Sequence, residues 1–314
     1  MVDVVCLGEV IADFIPVGER EFKLCFGGAP MNTAIACSRL GLSTATIASV
    51  GDDPFGSFLL GTLRGSGVDV RRVRVKPLRT TLAFVSRVKG ENEFFFYRRP
   101  WVISADTEID LGEEDLKLAL KAKVFHFTGL PLSHEPLRES IMEFVGKLRG
   151  SVIVSFDPTY RPDSWVSKEE AREATIKAMS TSDVILATIE EFRLVLGVEE
   201  AEDAVRECLR LGAKMVGVKM GGRGACLSDD STLWVMDAYP VKVVDTVGAG
   251  DAWNSGIIYG LVKGLHVSDT LKLANAVAAL SCTAPGAVEG LPTIREVNDL
   301  VSKFPHLKPK PVQS

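Results

Sequence analysis

The sequence predicts an α/β fold: a mainly parallel central sheet flanked by helices, with a small β-lid inserted near its start. Two observations carry this expectation. From residue 111 onward helical and strand-like runs alternate, with helix over 111–122, 137–148, 168–180 and 201–211, and strand over 123–127, 151–156, 183–187 and 214–219. Alternation of this kind builds right-handed βαβ units, which lay their strands parallel. Before residue 111 the pattern is instead pairs of short apolar runs around turn residues, as in hairpins.

Taken in order, residues 2–7 form an apolar run ended by Gly8, a buried first strand. Residues 11–17 and 22–26 flank Gly18-Glu19-Arg20 as a first hairpin. Gly27-Gly28-Ala29-Pro30-Met31-Asn32 opens a helix that runs to Leu40 and stops at Gly41, and 44–50 returns to strand. Residues 79–89 and 91–99 form a second hairpin turning at Lys89-Gly90-Glu91-Asn92. Thr81, Ala83, Val85 and Arg87 share one face of it, and Leu82, Phe84, Ser86 and Val88 the other. That ribbon is largely apolar on both sides, so it calls for a cover: the substrate, or a second subunit of a homodimer joined through the lid. Val241, Val243 and Val244 read as a last strand, followed by helices over 251–262, 269–281 and 293–303. The proline- and lysine-rich tail, 305–314, is expected to fray. The hairpin regions, at about 11–27 and 79–105, are too small for a core of their own. All 314 residues therefore read as a single domain, with the hairpins as a lid over the C-terminal sheet edge, where open α/β sheets bind ligands.

Composition excludes several classes. With 36 Lys and Arg against 41 Asp and Glu, the net charge of −5 gives no global attraction for nucleic acid or an anionic membrane. No uncharged run approaches the ~20 apolar residues of a membrane span, and the first residues lack a secretory pattern. None of the six cysteines forms a Cys-x-x-Cys pair, which suits reduced thiols and a cytoplasmic protein.

The segment most charged with chemistry is Asp245-Thr246-Val247-Gly248-Ala249-Gly250-Asp251, placed before an apolar helix. Glycines at a helix start leave backbone N–H groups bare, and the helix end adds partial positive charge. The result is an anion hole from Gly248, Ala249 and Gly250, suited to the charge that develops on a transferring phosphoryl group. A carboxylate beside it, Asp251, can accept the proton of an attacking hydroxyl, although Asp at a helix start is also a common cap. No Gly-x-x-x-x-Gly-Lys-Ser/Thr loop occurs, and Trp253 stands where a dinucleotide fingerprint needs its third glycine.

This segment resembles, at every position, the Asp-Thr-x-Gly-Ala-Gly-Asp signature of the PfkB (ribokinase-like) carbohydrate kinases. Gly27-Gly28-Ala29-Pro30-Met31-Asn32-Thr33-Ala34 and Val50-Gly51-Asp52-Asp53-Pro54-Phe55-Gly56 are similar to the family's first signature, so the likeness spans nearly the whole chain. The resemblance implies a ribokinase-like three-layer α/β/α body and an ATP-dependent sugar kinase. It implies sugar binding by Asp13, Gly27, Gly28 and Asn32, with Asp251 as base. It also implies ATP binding by Lys219, Gly221, Gly222 and Gly224, by Thr246, Gly248 and Gly250, and by Asn275 on the adenine side. Glu191 would hold Mg²⁺, through water. A monovalent cation such as K⁺ is left open. Two positions depart from the family pattern: Thr159 in Asp157-Pro158-Thr159-Tyr160-Arg161 and Thr188 in Thr188-Ile189-Glu190-Glu191, each where Asn is common.

The lid segment Phe94-Phe95-Phe96-Tyr97-Arg98-Arg99 resembles two subfamilies, fructokinases and 2-keto-3-deoxygluconate kinases. Both imply Tyr97, Arg98 and Arg161 at the sugar. The pair Arg98 and Arg99 leaves room for an acidic sugar, whereas residues 122–126 and 156–165 are closer to fructokinase, the reading we favour. A nucleoside kinase and a sugar-binding protein without catalysis are the remaining alternatives.

Overall fold

Short apolar runs become strands here because both faces of the main sheet are covered. The computed structural model describes residues 2–18, 20–88, 91–99, 101–229 and 231–312. Its first half contains β1 (Val4–Leu7), β2 (Ile11–Pro16), β3 (Phe22–Gly27), α1 (Ala29–Arg39), β4 (Thr44–Gly51), α2 (Pro54–Gly65), β5 (Asp69–Lys76), β6 (Thr81–Val88), β7 (Glu91–Phe96), α3 (Glu113–Ala119), β8 (Val124–Thr128), α4 (Leu137–Leu148) and β9 (Ile153–Asp157). Then follow α5 (Lys168–Ser180), β10 (Val184–Thr188), α6 (Ile189–Leu196), α7 (Ala201–Arg210), β11 (Met215–Lys219), β12 (Ala225–Ser228), β13 (Leu233–Met236), α8 (Ala249–Lys263), α9 (Val267–Ser281), α10 (Ile294–Lys303) and β14 (Lys310–Pro311).

The main sheet runs β14-β13-β12-β11-β10-β9-β8-β1-β4-β5. Pairings from β11 to β5 are parallel, and those from β11 out to β14 are antiparallel. Alternate residues of β1 feed opposite cores: Val4 and Cys6 pack with α1, α2, α8, α9 and α10, and Val5 and Leu7 with helices α3 to α7. The body is therefore the expected three-layer sandwich.

The two early hairpins join into one sheet, β3-β2-β6-β7, because β2 pairs in parallel with β6 (Ile11 opposite Thr81, Asp13 opposite Ala83). Its inner face packs down. Ile15, Cys25 and Val85 meet Val247 and Ala287, and Ile11 and Ala83 meet Leu130. On the outer face Phe84 stacks on Phe14 at 4.8 Å and meets Phe22 and Tyr97 edge-on, while Phe14 reaches Phe55 of α2. A buried latch fixes the lid to the body. Arg98 Nε donates to Asp106 Oδ2 at 2.8 Å, Arg98 also donates to Ser133, and Asp106 further accepts from Thr81 and Ser104.

Several expectations need correction. Helix α2 and strand β5 follow β4, where the sequence suggested neither; β5 hides because Arg72 and Arg74 alternate with valines and bind the buried Asp115 of α3. Such charges suit an edge strand. Val241, Val243 and Val244 form no strand: Val244 N–H turns to the Cys282 carbonyl, and the Val243 and Val244 side chains are exposed. The tail does not simply fray, since β14 adds an edge strand to β13. The turns through Glu19 and Lys89-Gly90, and the side chain of Phe94, lie outside the described residues.

Breaking one side of a fully buried ion pair costs about 3–5 kcal/mol. Arg98→Met is therefore expected to lower unfolding free energy by that amount in urea titration, with Arg99→Met, at an exposed position, near neutral. Unchanged stability in Arg98→Met would contradict the latch.

Candidate active site

A cleft of about 570 Å³ opens beneath the lid, at the C-terminal ends of β1, β9, β10 and β11. Helices α1 and α8 both point their N-termini at it, from Gly28 and Gly248. Gly248 caps α8 in the left-handed conformation (φ 76°), and a side chain there would strike Ala287. At the head of α8, Ala249 N–H turns back to the Thr246 carbonyl at 3.2 Å. This corrects the expected donor set, which loses Ala249: at this turn the N–H groups of Gly248, Gly250 and Asp251 have no acceptor among the described residues. Asp245 holds the turn, its carboxylate accepting from Val247 N–H and Gly286 N–H.

Asp251 stands on the cleft wall as the third residue of α8. Its Oδ2 accepts from Asn32 Nδ2 at 2.8 Å, which joins α1 to α8. Burial pushes its carboxyl up to about 7; the Asn32 hydrogen bond opposes this, the charge of Asp157 adds to it, and Lys219 and Arg161 oppose it. Asn32 Oδ1 is buried without a partner. Asp13, on β2, is buried beside Gly27, whose missing side chain leaves room for the Asp13 carboxyl. Burial and then the Asp251 charge raise Asp13 to about 8, against Arg161.

Two residues that sequence reasoning missed complete this side. Glu9 accepts from Ala29 N–H at 3.1 Å and from Thr128 Oγ1 at 2.7 Å, clamping the start of α1 onto the β1–β2 junction; burial raises it to about 7. Its only signal was a charge directly after an apolar strand. The floor is an ion pair, Asp157 with Lys219 at 2.7 Å, joined by Asn254, and the sequence showed Asp157 only as part of a motif.

On the opposite wall Glu191 forms a capping box with Thr188 on α6 and also accepts from Tyr160 N–H at 2.8 Å. Thr159 is the one non-glycine described residue at positive φ (37°), with its hydroxyl buried and unpartnered. Thr246, Lys219 and Arg161 line the cleft. Gly221, Gly222 and Gly224 form the turn from β11 to β12, and Gly224 (φ 92°) comes up against the Met236 carbonyl, so it also has a local reason to be glycine.

Three expected ligands do not line this cleft. Arg98 is closed into the latch described above, and Tyr97 lies on the outer face of the lid, 71% exposed. Asn275 has its amide engaged: Oδ1 accepts from Trp253 Nε1 at 2.8 Å, and Nδ2 donates to the carbonyls of Met236 and Asp237. It pins α9 to α8 and to the end of β13. No three His, Cys, Asp or Glu side chains gather as a metal cage among the described residues, and none of their helices is long and apolar enough to cross a membrane.

Comparison with known proteins identifies the family of the chain. The sequence profile of the pfkB family carbohydrate kinases matches residues 1–294. Probable fructokinase-7 of Arabidopsis thaliana is 36% identical over 320 residues, covering 95% of this chain and 92% of that protein. Fructokinase-1 of Zea mays is 35% identical over 319 residues, covering 96% and 98%. Among solved structures, the fructokinase of Vibrio cholerae O395 in its fructose, ADP and calcium ion bound form superposes with a TM-score of 0.87 at 29% identity, over 96% of this chain and 99% of that one. With a family profile covering nearly its whole length and relatives alike from end to end, the chain belongs to the pfkB family of carbohydrate kinases.

Proposed function

We propose that this chain transfers the γ-phosphoryl group of ATP to a terminal hydroxyl of fructose, as an ATP-dependent, fructokinase-like sugar kinase. One observation carries the reading: Asp251 stands between the open N–H groups of α8 and the amide of Asn32, on the wall of a cleft lined with acids and hydroxyls. A carboxyl raised to about 7 can gain and lose a proton near neutral pH, as a general base requires. The sugar lies under the lid against Asp13, Gly28 and Asn32, whose unpartnered Oδ1 accepts from a hydroxyl. Asp251 takes the proton of the attacking hydroxyl, and the N–H groups of Gly250 and Asp251 receive the charge on the transferred group. The ATP phosphates lie along Thr246 to Gly250, with the β11–β12 turn beside them.

Glu191 fits the magnesium role the family implies. Three of its roughly four acceptor positions are used, so it offers a single lone pair rather than a cage. That suits Mg²⁺ held through water, with phosphate oxygens as its other ligands. When bound, the ion neutralises phosphate charge.

The latch favours a neutral sugar. Arg98 is paired to Asp106, and neither it nor the exposed Arg99 lines the cleft, so the cations that left room for an acidic sugar lie away from it. The described basic residues lining the cleft are Arg161 and Lys219, against five buried acids, Glu9, Asp13, Asp157, Glu191 and Asp251. Such a wall disfavours a sugar carboxylate and suits a neutral ketose. The five deeply buried thiols are consistent with a cytoplasmic setting.

ADP release should be fastest with fructose in a panel that includes 2-keto-3-deoxygluconate, a phosphorylated ketose and a nucleoside. A higher kcat/KM for the keto acid would overturn the neutral-sugar reading. Asp251→Asn should lower kcat by about 10²–10⁴ while leaving ATP affinity unchanged by calorimetry; near-wild-type turnover would remove Asp251 from the mechanism. The Asn32 hydrogen bond favours ionised Asp251, so its loss raises the carboxyl further. The rising limb of kcat/KM, near pH 7 in the wild type, should therefore move to higher pH in Asn32→Ala. A limb that stays put, or moves to lower pH, would show that another group controls it.

A further inference from the structure

A lysine stands beside the first turn of α8. Lys219 Nζ donates to Asp157 Oδ2 at 2.7 Å and to Asn254 Oδ1 at 3.3 Å. A side-chain carbon on Gly250 would come within 3.4 Å of the same Nζ, so the ammonium rests against the backbone that presents the Gly250 N–H. The side chains of the pair are 11% and 3% exposed, and Lys219 lines the cleft.

An ammonium has three donors, and two have acceptors here. The third has none among the described residues. Asp157 is more fully engaged, since Oδ1 accepts from Thr159 N–H at 2.8 Å and Oδ2 accepts from Asn254 Nδ2 at 2.6 Å as well as from Lys219. The carboxylate is thus held on several sides and its lysine is left with one open donor at the cleft. A pair buried like this contributes little to stability, because desolvating both ions offsets most of their attraction. Both partners line the cleft, and the ammonium lies beside the first turn of α8. Asp251 lies near enough for its charge and that of Lys219 to act on each other.

We propose that Lys219 is a catalytic residue: its third N–H and its charge engage the phosphoryl group in transit at the α8 amides, while Asp157 and Asn254 are positioning residues that aim it. The proposal rests on the kinase reading above. It moves Lys219 from holding bound nucleotide to stabilising the group being transferred, whose charge spreads over its three equatorial oxygens. An ammonium held in place acts there without reorganising.

Lys219→Met leaves Asp157 uncompensated, so the decisive variant is the neutral double, Lys219→Met with Asp157→Asn. In it, kcat should remain about 10²-fold or more below wild type, with KM for ATP within about threefold, while Lys219→Arg recovers part of the rate. Recovery of wild-type kcat in the double variant would mean that Lys219 only neutralises Asp157. A loss confined to KM for ATP would make it a ground-state contact. Either result overturns the proposal. Wild-type protein silent on every sugar would refute the kinase reading instead. Lys219 is then judged by calorimetry with ADP and aluminium fluoride, which should bind about tenfold or more weakly to the double variant while ADP alone is unaffected; equal binding would again overturn it.

Discussion

The site depends on how the first turn of α8 is seated. Gly248 turns the chain in a left-handed conformation with no room for a side chain against Ala287. Asp245 fixes that turn by accepting N–H groups from Val247 on one side and Gly286 on the other, so the turn and the 281–287 loop form one unit. The lid then rests on this unit through Ile15, Cys25 and Val85 against Val247 and Ala287. Behind it, Trp253 and Asn275 tie α8 to α9. The glycine turn, the 281–287 loop and the lid therefore share one mechanical support, and a displaced α8 would disturb all three.

A second constraint is electrostatic. Glu9, Asp13 and Asp251 are carboxyls that burial holds well above their usual range, and Asp13 also feels the charges of Asp251 and Glu9. Arg161 and Lys219 offset part of this from the cleft side. A polyhydroxylated neutral ligand is the natural complement, because each hydroxyl can donate to a carboxylate or accept from a protonated one. An anionic sugar would push these carboxyls further towards their protonated forms.

Much of this was legible in the sequence, for physical reasons. The βαβ alternation, the two hairpins and the Asp245–Asp251 turn were readable because periodicity and glycine placement are local. What escaped was set by tertiary pairing. Strand β5 looks too charged for a strand until Asp115 is seen beneath Arg72 and Arg74. Arg98 and Tyr97 sit in a motif that suggests ligands, yet successive residues leave a strand end in opposite directions, one into the latch and one onto the outer aromatic face. Asn275 looked misplaced in an apolar helix because its partners, Trp253 and two carbonyls, lie far away in sequence. Glu9 carried no motif as a site, and Asp157 and Lys219 stood in separate motifs, since their meaning as a pair comes from burial and from each other.

The central claim is that Asp251 receives the proton of the attacking sugar hydroxyl at the head of α8. A crystal structure with fructose and a non-hydrolysable ATP analogue tests it most directly. The account places a terminal hydroxyl of fructose about 2.6–3.2 Å from an Asp251 carboxylate oxygen, with the terminal phosphate of the analogue facing the N–H groups of Gly250 and Asp251. A terminal hydroxyl held instead by Glu9 or Asp13, out of reach of Asp251, would contradict it.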